Sequence, residues 1–307
     1  MYQITHPLPW ALDHVHCYAV ADDDGWTLVD CGLGTPGTTR RWREALEELG
    51  RPRIRRIVLT HYHPDHLGAS ATLVEVTGAP EVVQGSLDAE VARRAWGPGR
   101  DLAALERYLL AQGMPSELAS ISASGEGAIA VTAAEPTRLV DEGDVLELGG
   151  ERFGVLVLPG HADGHIALLG ERSGRLFSGD VLLEGITPNV GRWSGGLEDP
   201  LGAYLETLDR LARLAPAIVY PGHRQLIDDA PRRAAEIREH HRLRLDAHHE
   251  SLRAGAATPY EVSLLLWDGE LGAHERRFAL VEAISHLVRL GREGRAEEVS
   301  EGRWRPL

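Results

Sequence analysis

The most constraining feature of this chain is a dense cluster of potential metal ligands that follows a short strand-like run. Residues 61–66 contain four of these candidates: His61, His63, Asp65 and His66. The preceding run, residues 56–59, is apolar after its first residue and is typical of a strand. A strand that ends in such a loop can direct three of the side chains in related directions while His66 faces elsewhere, as two adjacent metal ions require. The alternative is chance clustering, because the chain contains 15 histidines.

Three further candidates occur in one recurring context, at the end of a predicted strand and beside a glycine. The runs read Leu-Pro-Gly-His, Phe-Ser-Gly-Asp and Val-Tyr-Pro-Gly-His, and they end at His161, Asp180 and His223. Strand ends that meet at one edge of a sandwich are common positions for sites, and glycine permits the tight turn that follows. This recurrence makes chance clustering a poor explanation for the first cluster.

The chain up to about residue 230 alternates strand and helix patterns. Residues 22–25, Asp-Asp-Asp-Gly, are typical of a hairpin turn, and residues 38–49 have the apolar period of a helix. This mixture favours an α/β or α+β sandwich with a mixed sheet. Residues 86–120 are mostly helical and form a candidate insertion over the site. Amphipathic helical patterns dominate the remainder, so we predict one domain over residues 1–230 and a second over residues 231–307.

Composition narrows the classes of protein. The chain is 43% hydrophobic and 25% charged, which is ordinary for a soluble globular protein. It contains no apolar stretch of the roughly 20 residues that a membrane span needs, and no secretory signal is recognisable. Cys17 and Cys31 are too few for a disulfide framework, so we expect small buried residues in a reducing cytoplasm. The net charge of -14 disfavours nonspecific attraction to nucleic acid.

The ligand motifs, in their order and spacing, resemble the metallo-β-lactamase superfamily over roughly residues 10–230. The resemblance implies a four-layer αββα sandwich with a dinuclear site at one edge. It also implies a ligand set: His61, His63 and His161 for the first metal, Asp65, His66 and His223 for the second, and Asp180 as the bridge. Two divalent ions are therefore expected as cofactors. Zinc is the expected metal, and iron or manganese are alternatives that His/Asp ligand sets accept.

The same resemblance implies a reaction. A hydroxide that bridges the two ions attacks an electrophilic carbon or phosphorus, and Asp65 both binds metal and orients this nucleophile. Asp180 lies where some β-lactam-cleaving members have a cysteine, which favours the broader hydrolase branch over antibiotic hydrolysis. We predict a hydrolase that acts on a small acyl substrate, a thioester or a lactone. The alternative is a single-strand-specific endoribonuclease or another phosphodiesterase of the same fold.

Residues 231–307 resemble the winged-helix-like extension of the LACTB2-like branch of the superfamily. We expect an all-helical domain with a small wing within residues 294–304. A lid or packing role is favoured over nucleic-acid binding, because the chain is acidic and its sequence shows no stripe of aromatic and basic residues. A small molecule is thus the expected partner, with no membrane partner; nucleic acid is disfavoured and a homo-oligomer stays open.

Other polar residues have less specific interpretations. His165 is predicted to support the site from behind the ligands, and Asp30 to be a supporting or structural carboxylate. His14 and His16 could line the pocket or have ordinary roles. The histidine pairs at residues 240–241 and 248–249 are predicted to lie on a solvated helix face.

Overall fold

The computed structural model describes residues 1–267 and 269–307, which form two compact units. The first unit consists of Met1–Arg100, Ala130–Pro188 and Leu211–Arg233. The second consists of Asp101–Ile129, Asn189–Arg210 and Ala234–Leu307. The predicted boundary near residue 230 lies close to the end of the first unit, but the second unit also contains two earlier segments. The two-domain division stays a prediction.

The first unit contains two β-sheets. The first sheet has the spatial order β1 (Tyr2–Pro7), β2 (His14–Asp22), β3 (Gly25–Val29), β4 (Ile54–Leu59), β5 (Glu81–Gly85) and β6 (Arg138–Val140). The second sheet contains β7 (Val145–Leu148), β8 (Glu151–Val157), β9 (Ile166–Gly170), β10 (Arg175–Gly179) and β11 (Ile218–Pro221), which also neighbour one another in that order. Parallel pairs such as β3–β4 and β10–β11 occur beside antiparallel ones, so the predicted mixed sheet is confirmed.

Helices separate many of these strands. They are α1 (Pro36–Glu48), α2 (Pro64–Leu67), α3 (Ser70–Thr77), α4 (Ser86–Trp96), α5 (Leu102–Ala111), α6 (Ser116–Gly127), α7 (Pro200–Leu214), α8 (Ala230–Arg253), α9 (Pro259–Leu266) and α10 (Ala273–Arg292). The candidate insertion at residues 86–120 is divided between the units: α4 belongs to the first and α5 to the second. Within the described residues, no helix is both long and apolar enough to cross a membrane.

Strand β4 is buried on both faces, because its alternate side chains enter two different cores. Val58 packs into the core between the two sheets, where Phe153 and Phe177 also lie. Ile57 and its neighbours on the other face join a second core with Trp42 of α1. The Trp42 indole also donates a hydrogen bond to the carbonyl of Cys31, 2.7 Å away. Both cysteines are buried and free, as predicted.

The second unit has its own apolar core, to which Leu109, Met114, Leu280 and Ile284 contribute. Its C-terminal part is helical except for the hairpin of β12 (Ala296–Ser300) and β13 (Arg303–Pro306), which lies where the wing was expected. Thr258 caps α9 in a reciprocal capping box.

The prediction that the histidine pairs of α8 lie on a solvated face was wrong for His241 and His248. Both are fully buried. His248 stacks on His286 with ring centroids 4.4 Å apart, and His241 Nδ1 lies 3.2 Å from His286 Nε2. These rings therefore pack α8 against α10.

Candidate metal centre

Strand ends and one short helix bring all the predicted ligands together in the first unit. His61 and His63 follow β4, and Asp65 and His66 lie on α2, the single turn that Pro64 begins. The remaining ligands follow strands of the second sheet: His161 after β8, Asp180 directly after β10 and His223 after β11. Two of these strands, β10 and β11, are parallel neighbours, so their C-terminal ends deliver Asp180 and His223 to the same edge.

The ligand atoms form three overlapping groups, within each of which all atoms lie less than 4.8 Å apart. The groups are His61, His63 and His161; His61, His66 and Asp180; and Asp65, His66 and His223. The first and third match the two predicted metal sets. Asp180 lies between them, because its Oδ2 is 3.7 Å from His161 Nε2 and 3.1 Å from His223 Nε2. This position is the one that a bridging carboxylate needs.

The donor set fits divalent cations. His66 Nε2, His223 Nε2 and Asp180 Oδ1 are buried and form no hydrogen bond within the described part of the chain, although both nitrogens have ion-pair contacts with the Asp180 carboxylate at 3.1–3.4 Å. Buried polar atoms are seldom left in this state, because each then costs its full desolvation free energy. Imidazole nitrogens and carboxylate oxygens are ligands that zinc, iron and manganese accept. A pair of cations would satisfy all three atoms.

In the absence of metal, the surrounding protein groups shift the pKa values of these histidines in two opposite directions. Burial lowers the pKa of His63 to about 3, and burial followed by the nearby His66 holds the pKa of His61 well below its usual value. Burial also opposes the charging of His66 and His223. There, however, Asp180 and other carboxylates outweigh burial: they raise the pKa of His66 well above its usual value and that of His223 to about 10.

The carboxylates are correspondingly acidic. Burial would raise the pKa of Asp65, but His66 and His223 lower it to about 2. The same two histidines, chiefly His223, hold the pKa of Asp180 well below its usual value against the effect of burial. Both carboxylates therefore stay ionised at neutral pH, in the state that binds cations.

Asp30 supports the second ligand group from behind. Its Oδ2 accepts hydrogen bonds from His66 Nδ1 and from the Thr60 hydroxyl, both at 2.8 Å, and its Oδ1 accepts one from the Thr60 amide at 2.8 Å. The bond to Nδ1 fixes the tautomer of His66, so that Nε2 presents its lone pair to the site. The carbonyl of His14 acts in the same way on His223 Nδ1, at 2.6 Å.

His165 has the supporting position that the sequence predicted. Its Nε2 accepts a hydrogen bond from the Asp180 amide, 3.1 Å away, and its ring stacks on His61 with centroids 4.5 Å apart. Gly179, at φ +46°, permits this approach, since a Cβ there would lie 2.6 Å from His165 Nε2. His165 thus contacts two ligand residues and belongs to none of the three ligand groups.

Two residues of α4 that the sequence did not single out hold the loop between His61 and His63. The buried Asp88 accepts a hydrogen bond from the Tyr62 amide at 3.0 Å, and the Trp96 indole donates one to the Tyr62 carbonyl at 2.7 Å. The backbone N–H and C=O of Tyr62, the residue between the two ligands, are therefore both held by one helix. No local pattern marks Asp88, because its role arises only from the packing of α4 beside β4.

Comparison with known proteins agrees with this geometry. The family model described as the metallo-β-lactamase superfamily matches residues 10–223. A metallo-β-lactamase family protein from Thermus thermophilus, TTHA1429, superposes with a TM-score of 0.87 at 34% identity, covering 100% of this chain and 98% of that one. The structure of TTHA1623 in a di-iron-bound form superposes with a TM-score of 0.50 at 31% identity, covering 74% of this chain and 94% of that one.

Two curated relatives carry functional names. The probable metallo-hydrolase YqjP of Bacillus subtilis is 31% identical over 72% of this chain and 70% of its own length. Hydroxyacylglutathione hydrolase GloC of Haemophilus influenzae is 29% identical over 63% of this chain and 74% of its own length. The family match, the shared α/β fold and the assembled ligand groups lead to one conclusion: this chain belongs to the metallo-β-lactamase superfamily and is a metallo-hydrolase.

Proposed function

We propose that the protein is a dinuclear metal-dependent hydrolase of small acyl substrates, either thioesters or lactones. The observation that carries this proposal is the Asp180 carboxylate between two His/Asp groups, with oxygens 3.1 Å from His223 Nε2 and 3.4 Å from His66 Nε2. Two bound divalent cations would supply a water of lowered pKa and a Lewis acid for the substrate oxygen. The ligand sets proposed for them are those that the resemblance implies, with Asp180 shared.

Asp65 has the second role in this proposal. Its Oδ2 lies 3.4 Å from His223 Nε2 and 3.9 Å from His66 Nε2, at the centre of the third ligand group. Because its pKa is about 2, this carboxylate remains an acceptor at every physiological pH. We infer that, with metal bound, one oxygen would help to hold the ion while the other would accept a hydrogen bond from the attacking water and orient it. Asp65 is accordingly the proposed catalytic residue.

A thioester is the substrate class with the most direct support. GloC is named as a hydrolase of hydroxyacylglutathione, which is a thioester, and its match covers 63% of this chain. Zinc is the proposed metal, and the di-iron form of TTHA1623 makes iron the first alternative to test. The cytoplasmic location and the small-molecule partner stay predictions that accompany this function.

The second candidate is the phosphodiesterase or single-strand-specific ribonuclease of the LACTB2-like branch. The hairpin β12–β13 after α10 is the observation that favours it, because a hairpin after helices is what a winged-helix extension requires. The hairpin carries exposed Glu297 and Glu298 together with exposed Arg303 and Arg305, so these residues give it no net positive charge. The chain as a whole carries a net charge of -14, which disfavours a phosphate backbone, so the acyl substrate is preferred.

The test combines metal analysis with a substrate screen. We expect about two metal ions per chain and hydrolysis of thioesters or lactones, with none of phosphodiesters or single-stranded RNA. Asp65→Ala and His161→Ala should each lower activity by about 100-fold or more, since even residues that only support metal ligands are worth 10- to 100-fold. Asp228→Ala, at an exposed position, is the matched control and should retain full activity.

Two results would contradict the proposal. Full activity after chelator treatment would exclude the metal-dependent mechanism. Activity confined to RNA would replace the acyl substrate with the second candidate. Circular dichroism of each variant separates a lost site from a lost fold.

A further inference from the structure

A cavity of about 690 Å³ that is widely open to solvent lies in the first unit, and Arg224, the neighbour of the ligand His223, is among its lining residues. Residues of β1, β2 and the loop after β11 line it, among them Thr5, His14, His16, Arg224 and Leu226. One of these lining residues, His14, accepts a hydrogen bond from the ligand His223 through its backbone carbonyl. The cavity therefore lies at the same edge of the sandwich as the ligands. Arg224, the residue that directly follows His223, brings a positive charge to this cavity.

The backbone of Arg224 is held in an unfavourable conformation. Its φ is +66°, in the left-handed region, where a side chain with a Cβ is strained and glycine would be favoured. Two histidines maintain it: the Arg224 amide donates to His14 Nε2 at 3.3 Å, and His16 Nε2 donates to the Arg224 carbonyl at 3.0 Å. Strain that the surroundings hold in place is a feature of ligand-binding positions.

The guanidinium group of Arg224 lacks an acidic partner. No ion pair joins it to any residue in 1–267 or 269–307, and its buried Nε has no hydrogen-bond acceptor there. The two neighbouring imidazoles do not compete for a ligand, because both nitrogens of each are engaged. His14 Nδ1 contacts Asp13, and His16 Nδ1 lies 3.0 Å from the Thr5 hydroxyl. Arg224 is therefore the cationic group of this cavity that remains available to an anion.

We propose that this cavity binds an anionic group of the substrate, a carboxylate or a phosphate, through the guanidinium of Arg224. This inference rests on the proposed function and specifies it further: the preferred substrate is an acyl compound that carries a negative charge away from the bond that is cleaved. The planar guanidinium donates two parallel hydrogen bonds to either anion, and the strained backbone held by His14 and His16 fixes the position of the side chain. Arg224 determines specificity and takes no part in bond cleavage.

The first measurement is a substrate series on the metal-loaded full chain. It uses three thioesters of equal length that end in a methyl, a carboxylate or a phosphate group. We expect wild type to prefer one charged substrate over the methyl compound by about tenfold or more in kcat/KM, which is the size of a hydrogen bond to a charged group. The better of the two charged substrates identifies the anion.

Two variants remove the guanidinium, and a third is the matched control. Arg224→Gln and Arg224→Gly should abolish the preference by raising KM for the charged substrate, so that kcat/KM for the charged and the methyl compounds becomes equal within about twofold in each variant. Arg224→Gly also relieves the left-handed strain, so its Tm should be no lower than that of wild type. Arg53→Gln, which removes an exposed arginine elsewhere in the first unit, should leave the preference intact.

Calorimetric titration of the same proteins with glutarate and with inorganic phosphate keeps the two proposals separate. Binding that weakens about tenfold or more in Arg224→Gln and is unchanged in Arg53→Gln supports the anion site even if none of the thioesters is hydrolysed. In that case only the proposed function fails. Anion binding that Arg224→Gln leaves unchanged, or an equal loss of activity on all three thioesters, would overturn the assignment to Arg224.

Discussion

Asp88 offers a sharp test of how the first ligand group is positioned. Its side chain is fully buried, its Oδ1 accepts the Tyr62 amide at 3.0 Å, and its Oδ2 accepts the Gln84 side-chain amide at 2.7 Å. Asp88→Ala removes both of these hydrogen bonds, and the loss of a buried acceptor costs about 1–3 kcal/mol for each. We therefore expect the free energy of unfolding to fall by about 2–6 kcal/mol. Metal affinity should fall about 10- to 100-fold, because the peptide between His61 and His63 loses its support.

Asp88→Asn separates the hydrogen bonds from the charge. The side-chain oxygen of asparagine can accept the hydrogen bond from the Tyr62 amide. Its NH₂ group can donate a hydrogen bond to the side-chain oxygen of Gln84, provided that the Gln84 amide rotates by about 180°. Burial raises the pKa of Asp88 to about 8, against the opposing hydrogen bonds from Gln84 and Tyr62. Between about pH 4 and pH 8 the folded protein thus binds one proton more than the unfolded chain. The free energy of unfolding therefore falls as pH rises through this range. The expected slope is about -1.4 kcal/mol per pH unit.

Urea denaturation of metal-free wild type, Asp88→Ala and Asp88→Asn at pH 5, 6.5 and 8 tests these values. Asparagine does not titrate, so the stability of Asp88→Asn relative to wild type should increase as pH rises. Chelator competition on the same proteins should give Asp88→Asn a metal affinity close to that of wild type. An equal loss of metal affinity in both variants would refute the hydrogen-bond explanation. A difference between wild type and Asp88→Asn that is constant with pH would refute the raised pKa.

Three further predictions concern the ligands directly. Gly222→Ala should abolish metal binding, measured as metal content, because its Cβ would overlap Asp180 Oδ1 and lie 2.5 Å from His66 Cε1. Asp30→Asn should weaken metal affinity about 10- to 100-fold in chelator competition, because Asp30 orients His66 Nδ1. Metal binding at pH 7 should release about two protons, counted by calorimetry in buffers of different ionisation enthalpy, because the raised pKa values keep His66 and His223 protonated in the metal-free protein.

Each of these has an outcome that contradicts it. A Gly222→Ala protein with normal metal content would show that the loop can move away from the added methyl group. Unchanged affinity in Asp30→Asn would show that the ligand group needs no support from this carboxylate. Release of no protons at pH 7 would mean that both histidines are already neutral before the metals bind.

That the candidate ligands lie together could be predicted, because the position of each depends on a local pattern. A residue that directly follows an apolar strand and adjoins a glycine or proline lies in the turn at the edge of the sheet. Strand β1 was not predicted, since only Ile4 and His6 of Tyr2–Pro7 face inward and one apolar residue gives no alternation. The burial of His241 and His248 was predictable in principle: with Leu245 they follow the spacing i, i+4, i+7 of a buried helix face.

The roles of Asp88 and Arg224 could not be predicted, because neither role is local. Asp88 acts on a peptide 26 residues earlier, and the histidine that accepts the Arg224 amide lies 210 residues away. Sequence periodicity describes which face of an element is buried, and it does not describe which distant polar group that face meets. The left-handed φ of Arg224 has no sequence signal either, since arginine rarely adopts it.

His14 connects metal binding with the proposed recognition of substrate, through two different parts of the same residue. Its backbone carbonyl holds His223 Nδ1, and this contact survives any side-chain substitution at position 14. Its imidazole holds the Arg224 amide, and this contact depends on the side chain. Chemistry and specificity are thus supported by one strand end but can change independently. Because His223 is held by a backbone group, the adjacent side chains of this fold can vary, and so change its substrate, without loss of that contact.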